Sequence, residues 1–596
     1  MTALAPTAPA QEHSSATRHG LRAVLALDAL AVGSWLIACA WAHGAVPSGP
    51  LGLLEELPLL WWFAIVALAT ALTIALRRPV PAMLLLAQPV LLAVVLLATP
   101  ALVEPFARVP TGYVHVGLVE HVVRTGGLLD QFDARYEWPG SIGLGALVTL
   151  LGGVDSAIVF LRWSPLVFVL AMLIPLHAIL DRLMGDRRTV ALGLWLFVAV
   201  NWVGQDYWSP QALNFLLVLV VVAVVLHHVP ERSGASLRDG VAALWRWQEP
   251  VPSVDGAARR QRLAAIGSVA LIGSAVAVSH QLTPFVLLLF LAVLVVVGRR
   301  DLGLLPLALA LVVIGWVSWG AVEYWSGHAA FLSGDVGRVG AVVDRGVAVR
   351  LQGGSGARDA VLYGRIGFSV LVWAGAAWAA WRGRRRRPVQ VLAALAASPF
   401  VLIGIQSYGG EMPLRVFLFS SPFAAALLAV PAQQLLTGRP RTALVGTGAL
   451  AALVLGLVLC RWGNEAFEGV YPEDIAAARF VYGAIPEGER AIVAEVSPFS
   501  PLRTERIDTI RYVSLVGLAR PDLYDPVEVV SSTGASELLL VLTRGQLEYG
   551  VLALGSQPGW DDRVIRALTD AGVGEVVFQR GEATVMRIRP RTGAGS

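Results

Sequence analysis

The chain has 596 residues, 56% of them hydrophobic and only 15% charged, with a mean hydropathy of +0.66. A soluble domain carries about 25% charged residues, and one soluble core stops growing at about 250–300 residues. The apolar excess is therefore incompatible with a single water-soluble core and must face lipid, and the net charge of +4, spread as short arginine clusters between apolar runs, is not the signature of a nucleic-acid binder. No lysine occurs in the sequence. The two cysteines, Cys39 and Cys460, sit inside apolar runs without metal-ligand spacing.

Residues 1–20 are polar and are expected to form a disordered cytoplasmic N-terminus. The first apolar run, 21–43, ends in small residues (Ala38, Ala40, Ala42) that would also suit a cleaved leader. It is long enough to cross, and many more runs follow, so it is read as a span. A span needs about 20 apolar residues. The qualifying runs are 21–43, 58–76, 80–103, 156–180, 189–204, 210–228, 263–281, 283–298, 302–322, 362–381, 389–406, 415–434 and 442–461. The run 141–151 is too short to cross and reads as a half-helix.

Orientation follows from arginine, because cytoplasmic loops carry the basic excess. The clusters are Arg18 and Arg22, Arg77 and Arg78, Arg182 to Arg188, the loop 229–262, Arg299 and Arg300, Arg382 to Arg387, and Arg439 and Arg441. With thirteen spans they all fall on one side, which is assigned to the cytoplasm. The opposite side receives 104–140, 205–209, the turn at 280–283, 323–361, 407–414 and everything after 463. The expected fold is a polytopic α-helical membrane protein of about 13 transmembrane helices (residues 21–463) with a small C-terminal extracytoplasmic α/β domain (464–596). In that domain 491–496, 538–542 and 576–578 read as buried strands, and 474–482 and 560–571 as helices.

Ionisable residues near a membrane are expensive and usually have a reason, and here the unusual clusters gather on the side away from the arginines. The loop after the third span holds His115, Glu120, His121, Asp130, Asp133, Arg135, Tyr136, Glu137 and then Trp138-Pro139-Gly140. Its first half has helical apolar spacing (Val114, Leu118, Val119, Val122), which predicts an amphipathic helix in the membrane interface. The second cluster, Gln205-Asp206-Tyr207-Trp208-Ser209-Pro210-Gln211, joins two spans, and so does the third, Ser279-His280-Gln281-Leu282-Thr283-Pro284. The fourth is Tyr408-Gly-Gly-Glu411 with Arg415 opening the next span, against the charge bias. Each also reads as an ordinary turn with aromatic anchors. An arginine there suits phosphate, because its planar fork offers two parallel donors. No GxxxxGK[ST], GxGxxG or HExxH motif is present at a suitable place.

This layout resembles the GT-C superfamily of polyprenyl-phosphate-sugar-dependent membrane glycosyltransferases. The parallel lies in the many spans, a large outer loop with acidic residues (104–140), the step Tyr136-Glu-Trp-Pro-Gly140 into the next helix, and a C-terminal outer domain. Two departures stand out. The loop follows the third span rather than the first, and the acidic residue many members carry at the loop's start is replaced by Arg108-Val-Pro-Thr-Gly-Tyr113, with only Glu104 upstream. The resemblance implies sugar transfer from a polyprenyl-phosphate donor to a cell-envelope glycan or glycoprotein at the outer face of the plasma membrane. It implies a carboxylate base, for which Asp133 is the first candidate and Glu120 and Asp130 the next. It also implies phosphate contacts from Arg415, helped by His280, with His115, Arg135, Asp206, Gln211, Gln281 and Glu411 as further substrate contacts. Some members use a divalent metal, but no ligand spacing here calls for one, and no other cofactor is implied. The competing classes are a flippase for a lipid-linked glycan, which would favour matched internal halves that this sequence lacks, and a non-catalytic scaffold with an envelope-binding outer domain.

Overall fold

The computed structural model describes the chain except for residues 1–9, 46, 48, 130–133, 233–236, 246–255, 325–339, 341–352, 406–407, 487, 498–500, 502–506 and 591–596. Every one of the thirteen apolar runs is occupied by a helix, because a backbone surrounded by lipid must satisfy its own polar groups. In chain order they are Ala10–Trp41, Leu59–Arg77, Ala82–Val103, Ser164–Met184, Arg187–Val200, Pro210–His228, Gly256–Ala277, Thr283–Val296, Leu305–Trp319, Gly356–Arg382, Arg387–Ala397 continued by the 3-10 turn Ser398–Gly404, Met412–Thr437 and Pro440–Trp462. Among the described residues, nine helices are long and apolar enough to cross a membrane. The protein is a multi-pass membrane protein. The first helix begins at Ala10, so residues 10–20, expected to be disordered, are helical; 1–9 lie outside the described residues.

Some of the helices are short. Arg187–Val200 and Thr283–Val296 have 14 residues each, about 21 Å at 1.5 Å per residue, against a hydrocarbon core of about 30 Å. Both stop where the chain turns along an internal cavity: residues 203–207 follow the first, and 279–281 precede the second. Irregular backbone at such depth is tolerated where it lines a cavity rather than lipid.

The arginine clusters meet at the other end of the bundle. Arg77 donates to the carbonyls of Leu436 and Gly438, both at 2.8 Å, and Arg188 to that of Arg78 at 3.3 Å. Arg232 and Arg262 grip the fully buried Asp301 carboxylate at 2.8 and 3.0 Å. The cavity end is built from the connections carrying the polar clusters. There the helix Pro110–Thr125 forms. Tyr113, Val116, Leu118 and Val119 are buried against Tyr136, Ile142 and Leu161, so it is packed inside the protein.

The C-terminal part holds a five-stranded sheet in the order β2-β1-β3-β5-β4, with β1 Ala491–Glu495, β2 Ile510–Ser514, β3 Leu538–Leu542, β4 Gly574–Arg580 and β5 Ala583–Ile588. β1 runs parallel to both β2 and β3, while β5 pairs antiparallel with β3 and β4. β3 is buried along its whole length, because the helices Pro472–Ala484 and Trp560–Asp570 contribute to the cores on either side. That explains why 538–542 is apolar at every position rather than alternating. This sheet sits on the cavity end of the bundle. Ser355 N donates to Leu552 O at 2.9 Å, Arg358 to Ala553 O at 2.5 Å, Arg544 to Pro47 O at 2.8 Å, and Arg124 pairs with Asp508 at 2.8 Å.

Candidate functional site

A cavity of about 900 Å³ lies between the helix ends and the C-terminal part, which contributes Phe467, Glu468 and Tyr549 to its wall. His115, Arg135, Asp206, Gln211, His280, Gln281, Glu411 and Arg415 all line it, although they come from five separate stretches of chain. Asp130 and Asp133 lie outside the described residues. Glu120 is not among the lining residues; its carboxylate accepts from the Ser156 hydroxyl.

Local sequence explains how these groups are placed. Gly140, in the Trp-Pro-Gly step, donates its N–H to Val278 O at 3.0 Å. A Cβ there would stand 2.1 Å from Ser279 Oγ, so only glycine lets this helix start pack against the turn that carries His280. Ser141 Oγ adds a bond to Ser279 O at 3.2 Å. On the far side Tyr408, Gly409 and Gly410 take φ values of 51°, 63° and 83°. This left-handed run reverses the chain ahead of Glu411, and two of its three positions are glycine, which adopts it without penalty.

Polar partners divide the cavity into two groups. Around Arg415 the guanidinium binds Glu411 Oε2 at 2.5 Å and stands over the Tyr408 ring at 5.5 Å. The Tyr408 hydroxyl accepts from Gln281 Nε2 at 2.5 Å. Arg415 Nε and Nη1 are buried and have no partner among the described residues. His115 stacks on Tyr207 at 5.8 Å and donates Nδ1–H to Trp208 O at 3.1 Å.

Of the second group only Asp206 was a candidate site residue from sequence. Asp206 is held by Arg461 at 2.6 Å and by Asn201 Nδ2 at 3.1 Å, so it is an anchored ion pair as well as a lining residue. Glu104 pairs with Arg108 at 2.8 Å, and its backbone carbonyl accepts from Arg162. Arg365 stands over the Trp202 ring at 5.5 Å and donates to Cys460 O at 2.7 Å. Burial pushes the carboxyls of Glu104 and Glu468 above the usual range. Arg108 and Arg162 pull back on Glu104, and Arg365 and Arg108 on Glu468. One signal in the sequence does mark this group. Arg365 and Arg461 lie within apolar runs at the end opposite the arginine clusters, where a charge needs a partner or a ligand.

Among the described residues no three His, Cys, Asp or Glu side chains group as metal ligands.

No protein-family profile matches the sequence, and no curated protein matches it. Solved structures do. ArnT from Cupriavidus metallidurans, in a crystal structure bound to undecaprenyl phosphate, aligns over 85% of this chain and 97% of its own, with a TM-score of 0.50 at 13% identity. The chain has the GT-C fold. Two structures of the Archaeoglobus fulgidus oligosaccharyltransferase also align. The apo form does so at 14% identity and a TM-score of 0.48, and AglB in complex with an inhibitory peptide and a dolichol-phosphate at 11% and 0.47, each over 80% of this chain and 72% of the other. In this fold two helices of membrane-spanning length precede Ala82–Val103, and Glu104 immediately follows it. The carboxylate that seemed too far upstream in sequence is thus a cavity residue.

Proposed function

We propose that this protein is a membrane glycosyltransferase that moves a sugar from a polyprenyl-phosphate donor to a cell-envelope glycan or glycoprotein at the outer face of the plasma membrane. The observation that carries the reading is Arg415. Its side chain is 10% exposed, and two of its N–H groups are buried in the cavity without a partner among the described residues. Buried charged donors left unmade are costly, and a phosphate oxygen is the acceptor that a guanidinium fork fits. The binding of undecaprenyl phosphate by a protein of the same fold supports the donor class. The outer face is read from the arginines, which gather at the end away from the cavity.

In the reaction a carboxylate takes the proton of the acceptor hydroxyl as that oxygen attacks the anomeric carbon. The C–O bond to the lipid phosphate breaks, and the phosphate leaves with the bonding pair, its charge met by Arg415 and by the His280 N–H. Asp133 is the base proposed from the loop's acidic cluster, with Asp130 and Glu120 behind it. Glu104 competes for the role because it lines the cavity and burial raises its proton affinity.

The test separates donor binding from turnover in detergent-solubilised full-length protein with labelled polyprenyl-phosphate sugars. Losing the base should lower kcat by about 100- to 10,000-fold with donor affinity intact. Arg415→Ala should weaken donor affinity by about 10- to 100-fold, the worth of a hydrogen bond to a charged group. Arg415→Lys should recover part, since it keeps the charge and loses the fork. Arg385→Ala, at the opposite end, is the control. Whichever of Asp133→Asn and Glu104→Gln abolishes turnover without touching donor binding names the base. If no polyprenyl phosphate binds, or Arg415→Ala binds it as native does, the glycosyltransferase reading is wrong.

A further inference from the structure

The hydrogen-bond polarity around His280 is set by the backbone. The N–H groups of Leu282 and Thr283 lie 3.2 and 3.1 Å from His280 Nδ1. A backbone N–H only donates, so Nδ1 is the lone-pair nitrogen and the ring proton sits on Nε2. Thr283 Oγ1, 3.0 Å from the same Nδ1, therefore gives its proton to the ring. Its own lone pairs remain to accept from Gln211 Nε2 at 3.4 Å. That fixes which way the Gln211 amide points: nitrogen toward Thr283, oxygen away. Gln211 is 3% exposed, and its Oε1 is buried with no partner among the described residues. Both Gln211 and His280 line the cavity, and His280 lies in the electrostatic field of Arg415.

On two residues that line the cavity the relay thus leaves one acceptor, Gln211 Oε1, and one donor, His280 Nε2–H. A phosphate has no proton to give the amide oxygen. A hydroxyl has one, and can donate it to Gln211 while the His280 N–H keeps to the phosphate. We propose that Gln211, oriented by His280 and Thr283, is a specificity-determining residue that reads a hydroxyl on the sugar of the lipid-linked donor. The inference rests on the glycosyltransferase reading above. The sugar is chosen over the acceptor because it is joined directly to the phosphate that Arg415 holds. Thr283 is a positioning residue: it touches no ligand and acts by orienting the amide.

The experiment measures equilibrium binding to full-length protein in detergent, without acceptor. The probes are undecaprenyl phosphate, a panel of undecaprenyl-phospho-hexoses and -pentoses, and their monodeoxy analogues. Native protein should bind one sugar-bearing lipid in preference to its analogue lacking a single hydroxyl, by about 10- to 100-fold, because the buried amide is otherwise left unmade. Gln211→Met, nearly the same shape, should bind that pair equally and bind undecaprenyl phosphate itself as native does. Thr283→Val, which frees the amide to turn, should lose part of the discrimination with the bare phosphate again unaffected. Gln211→Leu gives a second removal should Gln211→Met not fold.

Native protein that binds the sugar lipids but treats every deoxy analogue like its parent overturns the inference, and so does discrimination that survives Gln211→Met. An unchanged donor affinity with a raised KM for the acceptor assigns the hydroxyl to the acceptor and overturns the donor-sugar assignment. Native protein that binds undecaprenyl phosphate in none of its forms refutes the underlying glycosyltransferase reading, a result distinct from all of these.

Discussion

Consider removing the ion pair between Asp206 and Arg461. Their side chains are 3% and 11% exposed and meet at 2.6 Å. Asp206 also accepts from Asn201 Nδ2 at 3.1 Å, and Arg461 donates to Asn201 O at 2.9 Å. Breaking such a pair from one side strands a charge away from water, at a cost of about 3–5 kcal/mol. Asp206→Asn leaves the Arg461 guanidinium with neutral acceptors and no counter-charge. Arg461→Leu leaves the Asp206 carboxylate with one amide. Either single variant should therefore lose about 3–5 kcal/mol. The double variant strands no charge and should lose less than the sum, with a coupling energy on the order of 3 kcal/mol. Equilibrium unfolding of the four proteins in mixed detergent micelles measures the cycle. Additivity within about 0.5 kcal/mol would refute the claim that Asp206 serves chiefly as Arg461's buried partner, and would return it to the pool of carboxylates available to substrate.

Three further outcomes follow from other parts of the structure. Thr99 Oγ1 accepts from both Trp35 Nε1 and Trp61 Nε1 at 2.9 Å, so isosteric Thr99→Val leaves two buried donors unmade and should cost about 2–6 kcal/mol, read by the same unfolding assay. Asp474 caps its own helix through the N–H of Tyr471 and also accepts from the N–H of Arg544, which opens another helix, yet burial pushes its carboxyl up from 3.8 to about 7. The folded state then holds the proton where the unfolded state has lost it, so stability is greatest below pH 3.8, falls as pH rises to about 7 by at most about 4 kcal/mol, and is flat above. Calorimetry at pH 5 and pH 8 should show the drop in native protein and not in Asp474→Asn. Reporter fusions after Gly463 and within the loop 229–262 should report opposite sides of the membrane; the same side at both sites would contradict the arginine-based orientation.

By itself the sequence determined the helices and the end of the bundle where polar chemistry gathers. An apolar run of about 20 residues has few alternatives to helix in lipid, so thirteen runs became thirteen helices. The Trp138-Pro139-Gly140 step was legible through the resemblance, while the close approach of Gly140 to Val278 and Ser279 appears only in the fold. The sheet was read in part. β1, β3 and the centre of β4 were visible as apolar stretches. β2 and β5 were not, because Ile510–Ser514 and Ala583–Ile588 mix polar and apolar residues and become strands only beside their partners.

What only the tertiary structure decided is which charges meet. Glu104 and Arg108 stood only at the start of the outer loop, and Arg162, Arg365 and Arg461 had no assigned role, until the fold brought them into one cavity with Asp206. His115, Arg135, Asp206, Gln211, His280, Gln281, Glu411 and Arg415 share that cavity for the same reason: contact between distant segments depends on how helices pack, which no local pattern encodes. The polarity of the Gln211–Thr283–His280 relay lies deeper still. It depends on two backbone N–H groups aimed at one ring nitrogen, a matter of a few tenths of an ångström that residue names do not carry.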